Sequence, residues 1–253
     1  MNYIIKPGKN LAAVSDTVKA ENHKHWMLQL FLSCAGNLDI NVEGKEISCK
    51  CIVVDMAARH EFKTGEKVHF TILMEPTTET ARQIRRNFLE NKPYFILPGE
   101  TADRLQKQIN GILGTMNKDN LLGFIDGVYE IFHTGKSLPD FDVRIYELLK
   151  LLEACKYDQG KYNLKYFSDK LSLSPSRLAH LFKEQTGIPL KSYMVLNKLL
   201  RAYTVLFEGS NITQAAMAAG FDTPAHLART NRDMTGMSAS GILKDSEFLK
   251  VFF

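Results

Sequence analysis

Residues 174–187 (SPSRLAHLFKEQTG) and 223–236 (TPAHLARTNRDMTG) align without a gap at an offset of 49, and few other features of the chain constrain its fold as strongly. Five of the fourteen positions are identical, and four more pair like with like. Each copy opens on a hydroxyl, Ser174 or Thr223, followed by Pro175 or Pro224. That is the order of an N-cap and a first helical residue, because the hydroxyl accepts an orphan N–H and proline has no N–H to orphan. Each copy closes on Thr-Gly, a helix stop. Upstream lie short apolar-periodic segments, Leu164, Phe167 and Leu171 before the first and Ile212, Ala215 and Ala216 before the second, with Gly220 placed to turn between the latter helix and the next. Two short helices joined by a tight turn, twice over, predict two helix-turn-helix units.

Leu190 to Glu208 carries Tyr193, Leu196, Leu199, Leu200, Tyr203, Val205 and Leu206 at helical spacing and joins the two units. As one helix it spans roughly 28 Å. With the helix widths added, this approaches the roughly 34 Å of one DNA turn, so one chain would place two recognition helices in successive major grooves of double-stranded DNA. The charge agrees in sign. Residues 161–253 hold 12 Lys and Arg against 7 Asp and Glu, while the rest of the chain holds 20 against 21, although a solvated helical face gives the same arithmetic.

These residues resemble the DNA-binding domain of AraC/XylS-type transcription regulators. The resemblance rests on Leu173-Ser174-Pro175-Ser176-Arg177-Leu178, Leu181-Phe182-Lys183 and Thr186-Gly187-Ile188-Pro189. It continues through Leu200-Arg201-Ala202, Leu206, Ile212 to Ala216, Ala219-Gly220-Phe221 and Thr235-Gly236-Met237-Ser238, covering residues 140–243. The second unit departs from the family pattern. Leu227 stands where an aromatic is usual, Asn231 where a phenylalanine is usual, and Ala239 where a proline is usual. An unpaired amide at Asn231 would cost roughly 1–3 kcal/mol. A locally repacked helix, a reader that makes mainly phosphate contacts, and a unit that no longer grips DNA all remain open.

In the first recognition helix Leu178, Leu181 and Phe182 mark the buried face. This leaves Ser174, Pro175, Ser176, Arg177, His180 and Lys183 for the groove. Arg177 is the candidate for a bidentate guanine contact, Ser176 and His180 for base edges or phosphates, and Lys183 for a phosphate. The alignment assigns Thr223, Ala225, His226, Arg229 and Arg232 to the same face of the second helix.

The first half has another texture. From Trp26 to about Met74, runs of four to eight residues alternate with turn signals such as Glu43-Gly44-Lys45-Glu46, which predicts an antiparallel sandwich or small barrel. This layout is similar to the cupin-like sensor barrel of many family members. The likeness rests on His23-Lys24-His25, Gly36, Val42 to Glu46, Val53 to Met56 and His60-Glu61-Phe62. It implies a small-molecule effector in a pocket lined by His23, His25, Trp26 and His60. The histidine pair on one strand face, with His60 and His69, would also suit a metal, but Gln29 or Leu30 stands where enzymatic cupins place a glutamate. No metal and no cofactor are therefore expected. Cys49 and Cys51 are expected on one strand face, and four cysteines without a CxxC pair do not form a disulfide framework.

Helical periods follow over Thr78–Glu90, Thr101–Met116 and Asn117–Phe132. The last carries a broad apolar stripe suited to burial within the chain or across a homodimer. The apolar tail Glu247–Phe253 is expected to fold back on the last helix. No apolar run approaches the roughly 20 residues of a membrane span. Residues Met1–Pro7 lack the order of a secretory signal, so a cytoplasmic location is expected.

The expected fold is α+β: a cupin-like β-rich domain over 1–98, a helical connector with a possible dimer role over 99–139, and an all-α tandem helix-turn-helix domain over 140–253. The expected function is a DNA-binding transcription regulator rather than an enzyme, with a small-molecule effector and RNA polymerase as further partners. Two competitors remain. One is a metal-dependent cupin enzyme with His23, His25 and His60 as ligands. The other is a helix-turn-helix pair recruited for protein contacts.

Overall fold

The computed structural model of the chain describes residues 2–65, 67–136, 138–155, 162–238 and 249–252; Ala239, Glu247, Phe248 and Phe253 lie outside them. The chain packs as two compact units, Met1–Leu138 with Arg232–Phe253, and Pro139–Asn231.

The first unit is built on two sheets. Strands β1 (Asn2–Ile5), β2 (Leu11–Ser15), β4 (Leu28–Ser33), β7 (Cys51–Val54), β9 (His69–Met74), β10 (Tyr94–Ile96) and β11 (Leu249–Phe252) form the larger one. Their spatial order is β10-β7-β4-β9-β2-β1-β11. Strands β3 (Lys19–His23), β8 (His60–Lys63), β5 (Leu38–Val42) and β6 (Lys45–Cys49) form the smaller, in the order β3-β8-β5-β6. Pairing is antiparallel throughout, except that β11 runs parallel to β1. The expected barrel is thus two open sheets rather than one closed one.

The chain changes sheets at Lys50. Cys49 ends β6 in the smaller sheet and Cys51 begins β7 in the larger, so the two thiols do not share a strand face. Both are buried and free, and burial raises the Cys49 thiol to about 11. Between β5 and β6, Glu43 and Gly44 both take positive φ (51° and 79°), the combination that a two-residue type I′ hairpin turn requires. Phe31, Ile52 and Val54 from the larger sheet and Leu38, Ile40, Val42, Ile47, Cys49 and Phe62 from the smaller form one buried cluster. The Phe31 and Phe62 rings lie 4.7 Å apart within it.

Three helices complete this unit. Helix α1 (Glu79–Ile84), capped by Thr78, passes into a π-helical turn over Arg85–Leu89. Helix α2 (Gly99–Leu113) buries Ala102, Leu105 and Ile109. Helix α3 (Lys118–Phe132) starts on a reciprocal capping box between Asn117 and Asn120. Its stripe of Leu121, Phe124, Ile125, Val128 and Phe132 is buried within the chain, with Phe124 edge-on to Phe70 of β9 at 5.0 Å. The apolar tail was expected on the last helix; instead Leu249–Phe252 pairs with β1, Asn2 opposite Leu249 and Ile5 opposite Phe252.

The second unit is helical: α4 (Val143–Ala154), α5 (Leu164–Lys170), α6 (Pro175–Thr186), α7 (Leu190–Phe207), α8 (Ile212–Ala218) and the first eight residues of α9 (Pro224–Thr235). Phe167, Leu178, Phe182, Ala215, Ala216 and Phe221 in its core are at most 1% exposed. Among the described residues, no helix is long and apolar enough to cross a membrane.

Gly187 ends α6 in the left-handed region (φ 78°), and its N–H donates to the Lys183 carbonyl at 2.8 Å. A Cβ there opposes the conformation that stops the helix. Gly187→Ala is expected to lower stability by about 1 kcal/mol, read as a reduced urea midpoint at unchanged slope.

Candidate nucleic-acid interface

Both expected helix-turn-helix units form. In the first, Asn163 caps α5, its Oδ1 accepting the Tyr166 N–H at 2.9 Å. The chain turns through Ser172 at φ 52°, and Ser174 caps α6 by accepting the Arg177 N–H at 3.2 Å. In the second, Asn211 and Gln214 form a capping box on α8, Gly220 turns at φ 77°, and Thr223 Oγ1 accepts the His226 N–H at 3.0 Å at the start of α9. Lys198 of α7 donates to the Gly220 carbonyl at 2.7 Å, tying the second turn to the connecting helix.

Leu178, Leu181 and Phe182 bury one face of α6, and Phe182 packs 5.0 Å from Tyr193 of α7. The opposite face carries Ser174, Pro175, Ser176, Arg177, His180 and Lys183, all exposed. On α9, Leu227 and Asn231 are buried, while Thr223, Ala225, His226, Arg229 and Arg232 are exposed. His226 stands edge-on to Phe221 at 5.3 Å, with Nδ1 3.3 Å from the Asp222 carboxylate. Near the first helix, Asp142 caps α4 and pairs with Arg144. The Arg144 hydrogen bonds hold its carboxyl down to about 2, with a smaller contribution from the positive charge of Arg177.

The amide that breaks the family pattern has a partner. Asn231 is fully buried, and its Oδ1 accepts the Tyr203 hydroxyl from α7. Phe207 stacks on the Tyr203 ring at 5.9 Å and 11°. The helix is therefore repacked around a polar pair rather than left with an orphan amide. Tyr203 is the residue sequence reasoning missed, since its place on the buried face of α7 gives no sign that its hydroxyl has a use.

The histidines predicted for an effector pocket converge, though not on one strand face. His23 ends β3, His25 lies in the bend before β4, and His60 opens β8. All three are buried and Trp26 is half-buried. The ring centroids of His23 and His60 are 4.3 Å apart, those of His25 and His60 5.1 Å, and those of His23 and His25 5.5 Å. Burial, the largest cause for each, lowers His25 to about 4 and His60 to about 2, and also lowers His23, so the rings are neutral at neutral pH. Gln29 joins them from β4, its Oε1 2.9 Å from His25 Nε2. The spacing of four from His25 is the sequence signal for its place. Elsewhere in this unit, Glu79, Thr80, Gln83, Tyr129, Phe132 and His133 line a cavity of about 90 Å³. That is below the roughly 300–1,000 Å³ usual for ligand pockets.

Comparison with known proteins agrees with this architecture. Residues 167–245 match the family described as a helix-turn-helix domain. Over 126 residues the chain is 28% identical to the arabinose operon regulatory protein of Escherichia coli (strain K12). That alignment covers 47% of this chain and 39% of the relative, so the chain spans about two fifths of that protein's length. Among solved structures, an apo variant of ToxT from Vibrio cholerae strain SCE256 superposes with a TM-score of 0.63 at 11% identity, covering 94% of this chain and 98% of that one. ToxT from Vibrio cholerae O395 gives 0.58 at 12% identity, covering 93% and 97%. The wild-type ToxT described as bound to unsaturated fatty acid gives 0.57 at 12%, covering 94% and 96%.

The chain is thus a tandem helix-turn-helix protein with a β-sheet domain ahead of the helices. Its helix-turn-helix domain is similar to that of the arabinose operon regulatory protein, in keeping with the AraC/XylS resemblance of its sequence.

Tyr203→Phe is expected to cost about 1–2 kcal/mol, because the buried Asn231 amide loses a partner. Adding Asn231→Leu is expected to recover part of it. Chemical denaturation of the two single variants and the double would show a coupling above about 0.5 kcal/mol, and strict additivity would contradict the pairing.

Proposed function

We propose that the chain is a sequence-specific DNA-binding transcription regulator. The observation that carries the reading is the two-faced character of α6. Its buried stripe holds the helix to the unit, while the hydroxyl, imidazole and cationic groups that suit base edges and phosphates stand together in solvent. Ser174, Pro175, Ser176, Arg177, His180 and Lys183 form the first contact set, with Arg177 on guanine. Thr223, Ala225, His226, Arg229 and Arg232 form the second. In this reading residues 1–98 are the sensor, 99–139 a connector with a dimer role, and 140–253 the DNA-binding domain, in a cytoplasmic protein that acts with RNA polymerase and has no catalytic role. The description of ToxT as fatty-acid-bound supports a small-molecule signal for the sensor. A signal acts by favouring the conformation in which both recognition helices engage DNA.

Selection of the full-length chain on random duplexes tests the reading. Enrichment of two blocks about one helical turn apart is expected. A single short block would assign the grip to α6 alone and make the dimer the binding unit, since avidity would then replace the missing contacts. No enrichment would overturn the proposal in favour of protein contacts. On the selected site Arg177→Ala is expected to weaken binding by about 1–3 kcal/mol, with a smaller loss on random DNA. Equal losses on both would make Arg177 a phosphate contact.

A further inference from the structure

The imidazole cluster of the first unit is arranged to receive a cation. His23 Nδ1 lies 2.7 Å from the Glu21 carbonyl and His60 Nδ1 3.0 Å from the Ala58 carbonyl. A carbonyl oxygen only accepts, so both Nδ1 atoms carry a proton, and the neutral tautomer that this geometry selects has its lone pair on Nε2. Fixing the tautomer through a backbone carbonyl in this way is how proteins prepare a histidine to ligate through its other nitrogen.

The orientation of Gln29 follows from the same accounting. Thr71 Oγ1 donates to the Leu30 carbonyl at 3.0 Å and therefore accepts from Gln29 Nε2, also at 3.0 Å. The amide oxygen of Gln29 is left facing the histidines, 2.9 Å from His25 Nε2 and 3.3 Å from His60 Nε2. His25 accepts the Met27 N–H at Nδ1, at 3.2 Å, so its Nε2 carries a proton for Gln29. His60 has none to offer. Its Nε2 lone pair faces an amide oxygen inside a buried site, acceptor against acceptor, and a positive ion between them turns that repulsion into two bonds.

We propose that His23, His25 and His60 bind a divalent first-row transition metal, with Zn²⁺ as the representative ion and Gln29 Oε1 as the neighbouring oxygen donor. Three imidazoles suit such an ion, whereas Mg²⁺ and Ca²⁺ prefer sites built of oxygen. One ring nitrogen from each histidine lies within 4.8 Å of the others. A point within about 2.8 Å of all three atoms so placed always exists, so modest ring rotations reach the 2.0–2.1 Å of a Zn–N bond. His25 joins by moving its proton from Nε2 to Nδ1, at the expense of the Met27 contact, and no proton need leave the site. The ion would pin the end of β3, the bend before β4 and the start of β8 to one point.

The site does not depend on the DNA-binding reading, and its test does not use DNA. The full chain, free of any affinity tag and stripped with chelator, would be titrated with Co²⁺ and then with Zn²⁺. Expected are one equivalent of Co²⁺ with the visible bands of a four- or five-coordinate ion, their loss as Zn²⁺ displaces it, and a zinc X-ray absorption spectrum with three imidazole ligands. His23→Gln and His60→Gln should each lose the equivalent, while His180→Gln, on the exposed face of α6, retains it. Where a cluster variant does not fold, the wild-type absorption spectrum decides alone. Absence of a bound equivalent, a spectrum without three imidazoles, or full binding by a folded His60→Gln variant would overturn the site and leave the DNA-binding reading untouched.

Discussion

Burial of Leu178, Leu181 and Phe182 sets the rotation of α6 about its own axis, and the proposed DNA surface depends on that rotation. Turning the helix by one residue swings the apolar stripe by about 100°, exposing part of it and burying polar groups in its place. Ser174 and Pro175 fix where the helix starts and Gly187 fixes where it stops, so both the angle and the length of the presented face are set by neighbours in sequence. Because the stripe is locked to α7 through the Phe182–Tyr193 contact, the outward residues need no mutual contacts to hold their arrangement.

The second unit meets the same demand with a different interaction. Its helix is oriented by Leu227 and by a buried hydrogen bond, Tyr203 to Asn231, where an apolar contact serves in the first unit. An apolar contact tolerates small slides, whereas a buried polar pair is strongly disfavoured once its geometry is lost. The two recognition helices are therefore held by attachments of different stiffness.

The helical half was legible in the sequence to the level of individual caps. Ser174, Thr223, Gly187 and Gly220 have the roles their residue types suggest, because capping is a local matter between an atom and an N–H three residues away. The sheets were less legible. Strands β1 and β2 went unread because their short runs, Asn2–Ile5 and Leu11–Ser15, owe their place to partners distant in sequence. The Cys49-Lys50-Cys51 stretch shows the same limit, since a strand that changes sheets over a single residue keeps an unbroken alternating pattern. His23, His25 and His60 were legible as a group but not in their placement, which depends on a bend between β3 and β4 that no local signal announces. Nothing in the sequence around Tyr203 reports that its hydroxyl completes an amide 28 residues away.

The parallel pairing of β1 with β11 has a consequence for how the chain is made. It sets Asn2 opposite Leu249, so this pairing forms only by closing a loop of roughly 250 residues. Loop closure of that span is entropically costly and slow relative to the local contacts of helices. During synthesis this edge of β1 waits until Leu249–Phe252 have emerged, whereas the helices of residues 139–231 can assemble as they appear. An exposed strand edge is a template for pairing with other chains. In the interval before β11 arrives this edge is open to misassembly, and β11 is the strand that covers it.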